Sequence, residues 1–285
     1  MSFKDFYTTS SPKITTGDEK SKIYVLGVPF DFTTSYRPGS RFGPGAIRQA
    51  YWYIEIVDNK LGYNAEKIPI YDLGDLNTPS DVNLTIDALR KVSSEIYSEK
   101  KVLGLLGGEH LITYGSLVDA KDISLIVFDA HLDMRDELYG LRLSHATFLR
   151  RLIESNKSIK VYHVGSHAFV EEEIEFAKRN GVTLISAYDL EKGDIDLKEV
   201  VGKDEKLYVS LDLDVLDPSC APGVANPEPE GLSYHKLFNL IRSLKGRKII
   251  GFDVVELNPI LDPSGITSIA AAKALSLFVI LASMT

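Results

Sequence analysis

The sequence predicts an α/β fold built on a mostly parallel sheet that is covered by helices on both faces. Short β-branched, apolar runs alternate along the chain with longer amphipathic stretches. The short runs are apolar throughout rather than at every second residue, which is typical of strands buried on both faces. No repeat, low-complexity tract or Gly/Ser-rich linker divides the 285 residues. We therefore expect one domain over 1–285, with 1–20 as a loosely ordered N-terminal segment.

Seven of the apolar runs have the length expected of buried strands. They cover residues 22–28, 102–106, 123–128, 160–164, 182–186, 206–211 and 249–255. Between them, residues 82–98 carry apolar side chains at helical spacing, which predicts an amphipathic helix. Further helices are predicted at 148–153, 170–177, 232–244 and 266–281.

Two long segments are loops by composition, because both are rich in proline and glycine. They are 36–44 (YRPGSRFGP) and 217–231 (DPSCAPGVANPEPEG). Loops of this length inside a compact domain are usually functional or disordered. Each follows a predicted strand, on the edge where open α/β sheets bind ligands. These loops are therefore expected to border a site.

Composition and charge exclude several classes of partner. The formal net charge is −8, and the acidic residues are spread along the chain. This charge repels phosphate backbones, so we expect no nucleic-acid partner. The only cysteine, Cys220, rules out an intrachain disulfide and favours a cytoplasmic protein. We interpret Cys220 as a bystander rather than a nucleophile, since no histidine motif lies near it.

Neither end of the chain predicts a membrane partner. Residues 1–16 are polar and lack the apolar run of a signal peptide. The apolar run 274–284 is too short to span a bilayer and has the length of a buried core helix.

Acids and imidazoles follow four of the predicted strands. Because the carboxyl ends of parallel strands meet at one edge of a sheet, these side chains are expected to lie close together. Alternate residues of an extended segment point the same way, so the members of DxHxD and of DxD converge. The residues are Glu109 and His110 after 102–106, Asp129, His131 and Asp133 after 123–128, Asp212 and Asp214 after 206–211, and Glu256 after 249–255.

Four aspartates and two histidines in one place predict a metal centre. Buried without partners they would repel one another at a high cost in free energy, which divalent cations remove. An oxygen-rich set with two imidazoles suits Mn²⁺ better than metals that prefer thiolates. Two ions roughly 3.5–4 Å apart would use all six ligands and generate hydroxide near neutral pH. Each acid alone could instead be a turn former or a helix cap, but three such motifs at three strand ends favour metal.

At these residues the sequence resembles the ureohydrolase family, the group of arginase and agmatinase. The resemblance runs through most of the chain, with its motifs in the family's order. The matching segments are 27–48, 107–110 (GGEH), 129–133 (DAHLD), 210–223 (SLDLDVLDPSCAPG), 227–232 (PEPEGL), 253–258 (DVVELN) and 265–273 (GITSIAAAK).

The resemblance implies an arginase-like, three-layer α/β/α fold and a homo-oligomer, either a trimer or a hexamer. It also implies two Mn²⁺ ions per chain, with Asp129 and Asp212 bridging them. One ion would be completed by His110 and Asp133. The other would be completed by His131 and Asp214.

Two further residues match catalytic positions of the family. His145 corresponds to a histidine that transfers a proton, for which imidazole is suited because its pKa lies near working pH. Its alternative role is that of a structural histidine at a helix start. Glu256 corresponds to the glutamate that pairs with the substrate guanidinium, and its alternative is a strand-end acid satisfied by backbone donors. The other histidines that we weighed, interpreted as structural, are His163, His167 and His235.

Departures from the family pattern bear on the substrate more than on the chemistry. Glu109 stands where many members have aspartate and Leu111 where they have serine, both beside His110. The segment 224–230 also differs, close to the expected mouth of the site. The run 135–137 (RDE) does not resemble the arginase segment that reads an amino-acid head group, which favours agmatine over arginine. Within this run, Asp136 or Glu137 faces the free amine of the substrate or is a solvated loop charge.

The predicted reaction is hydrolysis of agmatine to putrescine and urea, a step of polyamine biosynthesis. Aminopropylagmatine, guanidinobutyrate and arginine remain alternative substrates. A zinc-dependent deacetylase of related fold is a second class, but it uses an adjacent pair of histidines that this chain lacks. A non-catalytic homologue that keeps the scaffold is a third.

Overall fold

Nine strands in the described part of the chain form one sheet at the centre of the molecule. The computed structural model describes residues 2–9, 13–193 and 195–285. Residues 1 and 10–12 of the predicted N-terminal segment lie outside them. The strands are β1 (Thr8–Thr9), β2 (Ile23–Val28), β3 (Val57–Asp58), β4 (Tyr63–Asn64), β5 (Ile70–Leu76), β6 (Val102–Gly107), β7 (Ser124–Phe128), β8 (Lys160–Val164), β9 (Thr183–Ile185), β10 (Lys206–Asp212) and β11 (Lys248–Val255).

The sheet is parallel except at one edge. Its order is β1-β5-β2-β6-β11-β10-β7-β8-β9, and only the pair β1–β5 is antiparallel among the described strands. β3 and β4 form a separate two-stranded sheet. The helices are α1 (Phe3–Tyr7), α2 (Gly43–Tyr53), α3 (Val82–Ser98), α4 (Leu111–Leu117), α5 (Phe148–Ser155), α6 (Glu171–Arg179), α7 (Ala187–Lys192), α8 (Leu197–Val200), α9 (Tyr234–Ser243) and α10 (Ile266–Ser283).

Each face of the sheet packs against its own set of helices. Apolar residues of α2, α9 and α10 form one core, and those of α3, α4, α5 and α6 form the other. Successive residues of β2 alternate between the two cores, with Val25 in the first and Leu26 in the second. Both side chains are fully buried, as expected of a strand covered on both faces. The three-layer α/β/α prediction is confirmed.

All seven predicted strands and all five predicted helices are present, with ends shifted by no more than a few residues. Three longer elements were not predicted. β5 contains two aspartates that interrupt its apolar pattern, and Asp72 is nevertheless buried because Arg48 pairs with it at 2.8 Å. α2 begins inside the predicted loop 36–44, where Pro44 in the first turn is compatible with a helix. α4 is only seven residues long.

Helix α10 is the buried core helix that the C-terminal apolar run predicts. It is longer than that run, and its 18 residues are long and apolar enough to cross a membrane by length and composition. However, 78% of this window is buried inside the protein. The helix packs against α2, α9 and β11, so its apolar character is explained by the core.

The topology brings the four motif-bearing strands together. β6, β11, β10 and β7 are consecutive neighbours in the middle of the sheet. Their ends are also level, since Leu106 pairs with Val254 and Leu211 pairs with Phe128. The acids and imidazoles that follow these strands therefore leave the sheet side by side.

Candidate metal centre and cleft

His110 faces three carboxylates at this edge of the sheet. Its Nδ1 atom lies 2.9 Å from Asp129 Oδ2, 3.2 Å from Asp212 Oδ2 and 3.5 Å from Asp133 Oδ2. His110 Nδ1 and Asp129 Oδ2 are buried, and neither has a hydrogen-bond partner among the described residues. Buried polar atoms without partners are rare and call for a missing ligand. His110, Asp129 and Asp212 could together hold a cation.

A second group shares Asp129 with the first. His131 Nδ1 lies 2.9 Å from Asp214 Oδ2 and 3.7 Å from Asp129 Oδ1. Asp129, His131 and Asp214 also converge closely enough to hold a cation. Two adjacent groups with a common carboxylate have the arrangement of a binuclear site. The structure thus brings all six predicted ligands to one place.

The convergence has a different cause from the strand alternation that we expected. Only Asp212 lies within a strand, at the end of β10, and Asp214 belongs to a short 3-10 helix, Leu213–Val215. The carboxylates accept hydrogen bonds from the backbone two residues on. His131 N donates to Asp129 Oδ1 at 2.7 Å, and Asp214 N donates to Asp212 Oδ1 at 2.8 Å. These are Asx turns, which fold each motif back toward the centre.

Two site residues have a left-handed backbone that non-glycine residues rarely adopt. Asp133 has φ 51° and Glu256 has φ 63°. The backbone N–H groups of Leu149 and Arg150 donate to the carbonyl of Asp133, at 3.2 and 3.4 Å. Glu256 N donates to Gly108 O at 2.9 Å. Such conformations cost about 1–3 kcal/mol each and persist where the surroundings fix them, often at functional sites.

Glycine at position 108 is required by a close approach of two backbones. A side chain there would collide with the carbonyl group of Phe30, and Glu109 N donates to that carbonyl at 2.7 Å. Gly108 therefore lets the end of β6 lie against the end of β2, while His110 takes the N-cap position of α4.

A hydrogen-bond chain fixes the tautomer of His110. Ser210 Oγ donates to Asp253 Oδ1 at 2.6 Å, so it can only accept from His110 Nε2, 2.8 Å away. Thr113 Oγ1 donates to the other oxygen of Asp253 at 2.8 Å. Nε2 therefore carries the hydrogen, and Nδ1 presents a lone pair to the carboxylates. A proton or a cation must lie between Nδ1 and the carboxylates. Histidines that bind metals have their other ring nitrogen held by a hydrogen bond in the same way.

Burial dominates the electrostatics of the metal-free cluster, and the like charges of the aspartates add to it. Burial, and then the charges of the other aspartates, raise the pKa of Asp129 well above its usual range. Burial, followed by the charge of Asp214, raises the pKa of Asp212 to about 8. Burial acts the same way on Asp214, but the contact with His131 outweighs it and lowers the pKa to about 2. The cluster is thus a buried concentration of acids that divalent cations would neutralise.

The comparisons with known proteins agree with this donor set. A family model described as the arginase family matches residues 21–280. The chain belongs to the arginase family. It is 36% identical to the agmatinase of Pyrococcus horikoshii over 274 residues, which is 94% of this chain and 95% of that one. It is also 36% identical to the N(1)-aminopropylagmatine ureohydrolase of Thermococcus kodakarensis over 88% of each chain.

The fold agrees as well. The agmatine ureohydrolase of Thermoplasma volcanium superposes with a TM-score of 0.87 at 35% identity, over 97% of this chain and 96% of that one. This arginase-family chain is accordingly a metal-dependent ureohydrolase, a hydrolase of guanidino compounds. A deacetylase and a non-catalytic scaffold, the alternatives of other classes, are not what these relatives indicate.

Four of the six predicted metal ligands of this arginase-family protein, His131, Asp133, Asp212 and Asp214, line a cleft of about 640 Å³. Glu256 lines it, and burial together with the charge of Asp212 raises the pKa of this carboxyl. Its Oε1 atom accepts a hydrogen bond of 2.8 Å from His110 N. His145 also lines the cleft, and burial lowers its pKa below 6.5. Both predicted catalytic residues thus border the same space as these four predicted ligands.

Two hydroxyls that sequence reasoning missed hold the ring of His145. Thr33 Oγ1 lies 3.3 Å from Nδ1, and Ser35 Oγ lies 3.2 Å from Nε2. Both belong to the quoted segment 27–48, but nothing in its pattern pointed to them. Ser210, by contrast, could have been found, because it precedes Asp212 by two residues in β10 and therefore points to the same side.

The mouth of the cleft combines aromatic and charged side chains. Glu228 Oε1 lies 3.6 Å from His131 Nε2 and its side chain is half-exposed. Arg135 lines the cleft, and its guanidinium makes no hydrogen bond or ion pair with any described residue, although its charge acts on the carboxyl of Glu173 in the same lining. The aromatic rings of the mouth belong to Tyr36, Tyr139 and Phe169.

The two acids that were candidates for the substrate amine lie elsewhere. Asp136 forms ion pairs with Arg142, Arg150 and Arg151 at 3.3, 3.4 and 2.7 Å. Neither Asp136 nor Glu137 lines the cleft. The ion pairs with arginines satisfy Asp136, and Glu137 lies outside the cleft lining. Both residues therefore fit the role of a loop charge better than that of a contact with the substrate amine.

The remaining histidines and Cys220 lie outside the cleft lining. His163 is fully buried in β8, and burial lowers its pKa to about 4. His167 Nδ1 lies 2.8 Å from the carbonyl of Gly165. His235 is exposed in the first turn of α9, and Cys220 is half-buried. None of these four residues therefore shares the space that His145 and Glu256 border.

Proposed function

We propose that this arginase-family protein hydrolyses agmatine to putrescine and urea with two Mn²⁺ ions per chain. Two adjacent ligand groups that share Asp129, with His131, Asp212 and Asp214 lining the cleft, carry the proposal. His110 and Asp133 would complete one ion, and His131 and Asp214 the other. Asp129 and Asp212 would bridge them. When bound, the ions supply a hydroxide nucleophile near neutral pH and stabilise developing negative charge.

Glu256 binds the guanidinium in this proposal. Its Oε1 atom is held by His110 N, and Oε2 makes no hydrogen bond with the described residues. A fixed carboxylate with one oxygen directed to solvent suits the forked N–H groups of a guanidinium. The hydrogen bond from His110 N also ties the carboxylate of Glu256 to the backbone of a predicted metal ligand. The substrate and the nucleophile would therefore be positioned together.

His145 delivers the proton that the leaving amine needs when the carbon–nitrogen bond breaks. The imidazole is neutral at neutral pH because burial lowers its pKa. It can therefore accept a proton from the attacking water and pass it to the amine. Its position in the cleft lining, beside the same space as Glu256, supports this role.

Glu228 supports agmatine as the substrate. Its carboxylate lies at the mouth of the cleft, next to the ring of His131. We expect the free ammonium group of bound agmatine to lie there. Pairing of this ammonium with Glu228 would discriminate agmatine from neutral guanidino compounds.

Arg135 favours a second candidate, a guanidino acid such as guanidinobutyrate. Its guanidinium lines the same mouth and forms no ion pair with a described residue, although its charge acts on the carboxyl of Glu173. A carboxylate at the far end of the substrate would pair with it.

Urea release across a substrate panel decides between the two. The panel contains agmatine, aminopropylagmatine, guanidinobutyrate and arginine, each tested with manganese-loaded protein. We expect the highest kcat/KM for agmatine, and Glu228→Gln to raise its KM about 10-fold by removing one charge-assisted contact. Arg135→Gln is the matched variant and should leave agmatine hydrolysis unchanged or improved. A preference for guanidinobutyrate that is lost in Arg135→Gln would establish the second candidate instead.

Metal analysis tests the centre independently of the substrate. We expect two manganese ions per chain in the loaded protein, and a single ion would contradict the binuclear proposal. The family resemblance further supports a cytoplasmic homo-oligomer, a trimer or hexamer, which light scattering would distinguish. The sheet draws its strands from residue 8 to residue 255, which supports a single domain over 1–285.

A further inference from the structure

Glu109 is a fully buried carboxylate that bonds to none of the six predicted metal ligands. It stands next to His110, yet its partner is Thr33. Thr33 N donates to Glu109 Oε2 at 2.8 Å, and Thr33 Oγ1 donates to Glu109 Oε1. A buried carboxylate with such specific partners is expected to have a purpose, because it is costly to bury.

The hydroxyl of Thr33 connects Glu109 to His145. A threonine hydroxyl has one hydrogen, and an ionised carboxylate can only accept, so with Glu109 ionised this hydrogen is directed to Glu109 Oε1. Thr33 Oγ1 must therefore accept from its other neighbours. These are His145 N at 3.0 Å and His145 Nδ1 at 3.3 Å.

This direction of the hydrogen bonds selects one tautomer of His145. With Thr33 accepting, Nδ1 carries the hydrogen and Nε2 has the lone pair. Nε2 lies beside Ser35 Oγ at 3.2 Å, and both residues line the cleft. The nitrogen that can take up a proton is thus the one directed toward Ser35 and away from Thr33.

We propose that Glu109 is a positioning residue, which acts through Thr33 to orient His145 with an unprotonated Nε2 available for proton transfer. The inference rests on the proposed function, in which His145 moves a proton. It also gives a reason for glutamate at this position. An aspartate would be shorter by one carbon–carbon bond, about 1.5 Å, and its oxygens would lie beyond hydrogen-bond distance of Thr33.

Glu109→Gln tests the proposal because it keeps the size and reverses one hydrogen bond. The glutamine amide accepts from Thr33 N only if its NH₂ group donates to Thr33 Oγ1. The threonine hydrogen is then free to turn to His145 Nδ1, which favours the wrong tautomer. We expect kcat for agmatine to fall about 10- to 100-fold, a part of what general acid–base catalysis contributes. KM and the content of two manganese ions should not change.

A double-mutant cycle with His145→Ala separates positioning from other roles of Glu109. If Glu109 acts through His145, then Glu109→Gln should not lower kcat further in the His145→Ala background. An equal fall in both backgrounds, or a loss of manganese in Glu109→Gln, would overturn the proposal in favour of an effect on His110. An unchanged kcat in Glu109→Gln would also overturn it. Full turnover in His145→Ala alone would instead refute the role of His145 in the proposed function.

Two further variants sharpen the result. Thr33→Ser keeps the hydroxyl and should retain kcat, whereas Thr33→Val should lose about as much as Glu109→Gln. Glu95→Gln is the matched control, because Glu95 also accepts from a hydroxyl and a backbone N–H, those of Ser2 and Phe3 at 2.5 and 2.6 Å, far from the cleft. It should leave kcat unchanged. Thr33→Val with the turnover of the unaltered enzyme would contradict the relay.

Discussion

Ser210→Ala perturbs the predicted metal centre without replacing any of its six predicted ligands. Ser210 accepts from His110 Nε2 at 2.8 Å and donates to Asp253 Oδ1 at 2.6 Å. His110 is 1% exposed and Asp253 is fully buried, so water cannot replace the lost hydroxyl without entering the core. The substitution leaves a ring N–H without an acceptor and a carboxylate oxygen without its donor.

The structure sets the size of the expected effect. An unsatisfied buried polar group costs about 1–3 kcal/mol. Asp253 keeps the hydrogen bond from Thr113 at 2.8 Å, so its loss is partial. We expect the free energy of unfolding of the metal-free protein to fall by roughly 2–4 kcal/mol. Manganese affinity should fall about 10- to 100-fold, as it does when the hydrogen-bond partner of a metal-bound histidine is removed.

Urea denaturation of the metal-free protein and a manganese titration measure the two effects separately. Ser276→Ala is the matched control, since Ser276 is also buried and its hydroxyl donates only to Lys273 O within α10, at 2.7 Å. This control should keep full manganese affinity. If Ser210→Ala bound manganese as tightly as Ser276→Ala, Ser210 would not be fixing the ligand atom of His110, and the deduced tautomer would be wrong.

Three other predictions follow from the same geometry. Asp129→Ala should lose manganese because both ligand groups contain it, whereas His145→Ala should keep both ions and lose turnover; metal analysis beside urea release checks this pair. Since burial lowers the pKa of His145, its neutral form persists below pH 6.5. The acid limb of the pH profile of kcat/KM in manganese-saturated enzyme should therefore lie below pH 6.5. A limb above this value would contradict the role of His145 in proton transfer. Arg48→Met should cost about 3–5 kcal/mol of unfolding free energy, because it leaves buried Asp72 without its pair of hydrogen bonds at 2.8 and 2.9 Å; a loss below about 1 kcal/mol in urea denaturation would show that this pair is not structural.

The fold could be predicted because apolar periodicity dominates most of its elements. Strands such as β7 and β10 are buried on both faces, and their mostly apolar composition indicates this directly. β5 was missed because the burial of Asp72 depends on its ion pair with Arg48, which lies 24 residues away in the chain. Periodicity describes neighbours in sequence, so a residue buried by a distant partner breaks the pattern.

The same distinction separates the predicted and the missed parts of the site. Side chains at the ends of parallel strands could be assigned to one edge because topology alone brings them together. Thr33, which bonds both Glu109 and His145, joins three separate segments through side-chain contacts. Contacts of that kind depend on loop conformations that no spacing rule encodes. Arg135 was considered only as part of an unfamiliar motif, and its place in the cleft lining follows from the loop's path.

The spacing of two residues in DxH and DxD has a consequence beyond convergence. In each motif one aspartate oxygen accepts from the backbone N–H two residues on, and the other oxygen faces an imidazole. Asp129 Oδ1 is held by His131 N, while Asp129 Oδ2 lies 2.9 Å from His110. Asp212 Oδ1 is likewise held by Asp214 N at 2.8 Å, while Asp212 Oδ2 lies 3.2 Å from His110 Nδ1. The backbone thus orients the carboxylates before any ion arrives, and a cation entering the site would meet donors whose ordering entropy is already paid by the fold. Lengthening either motif by one residue would break this turn without removing a ligand, so the spacing itself is part of the metal centre.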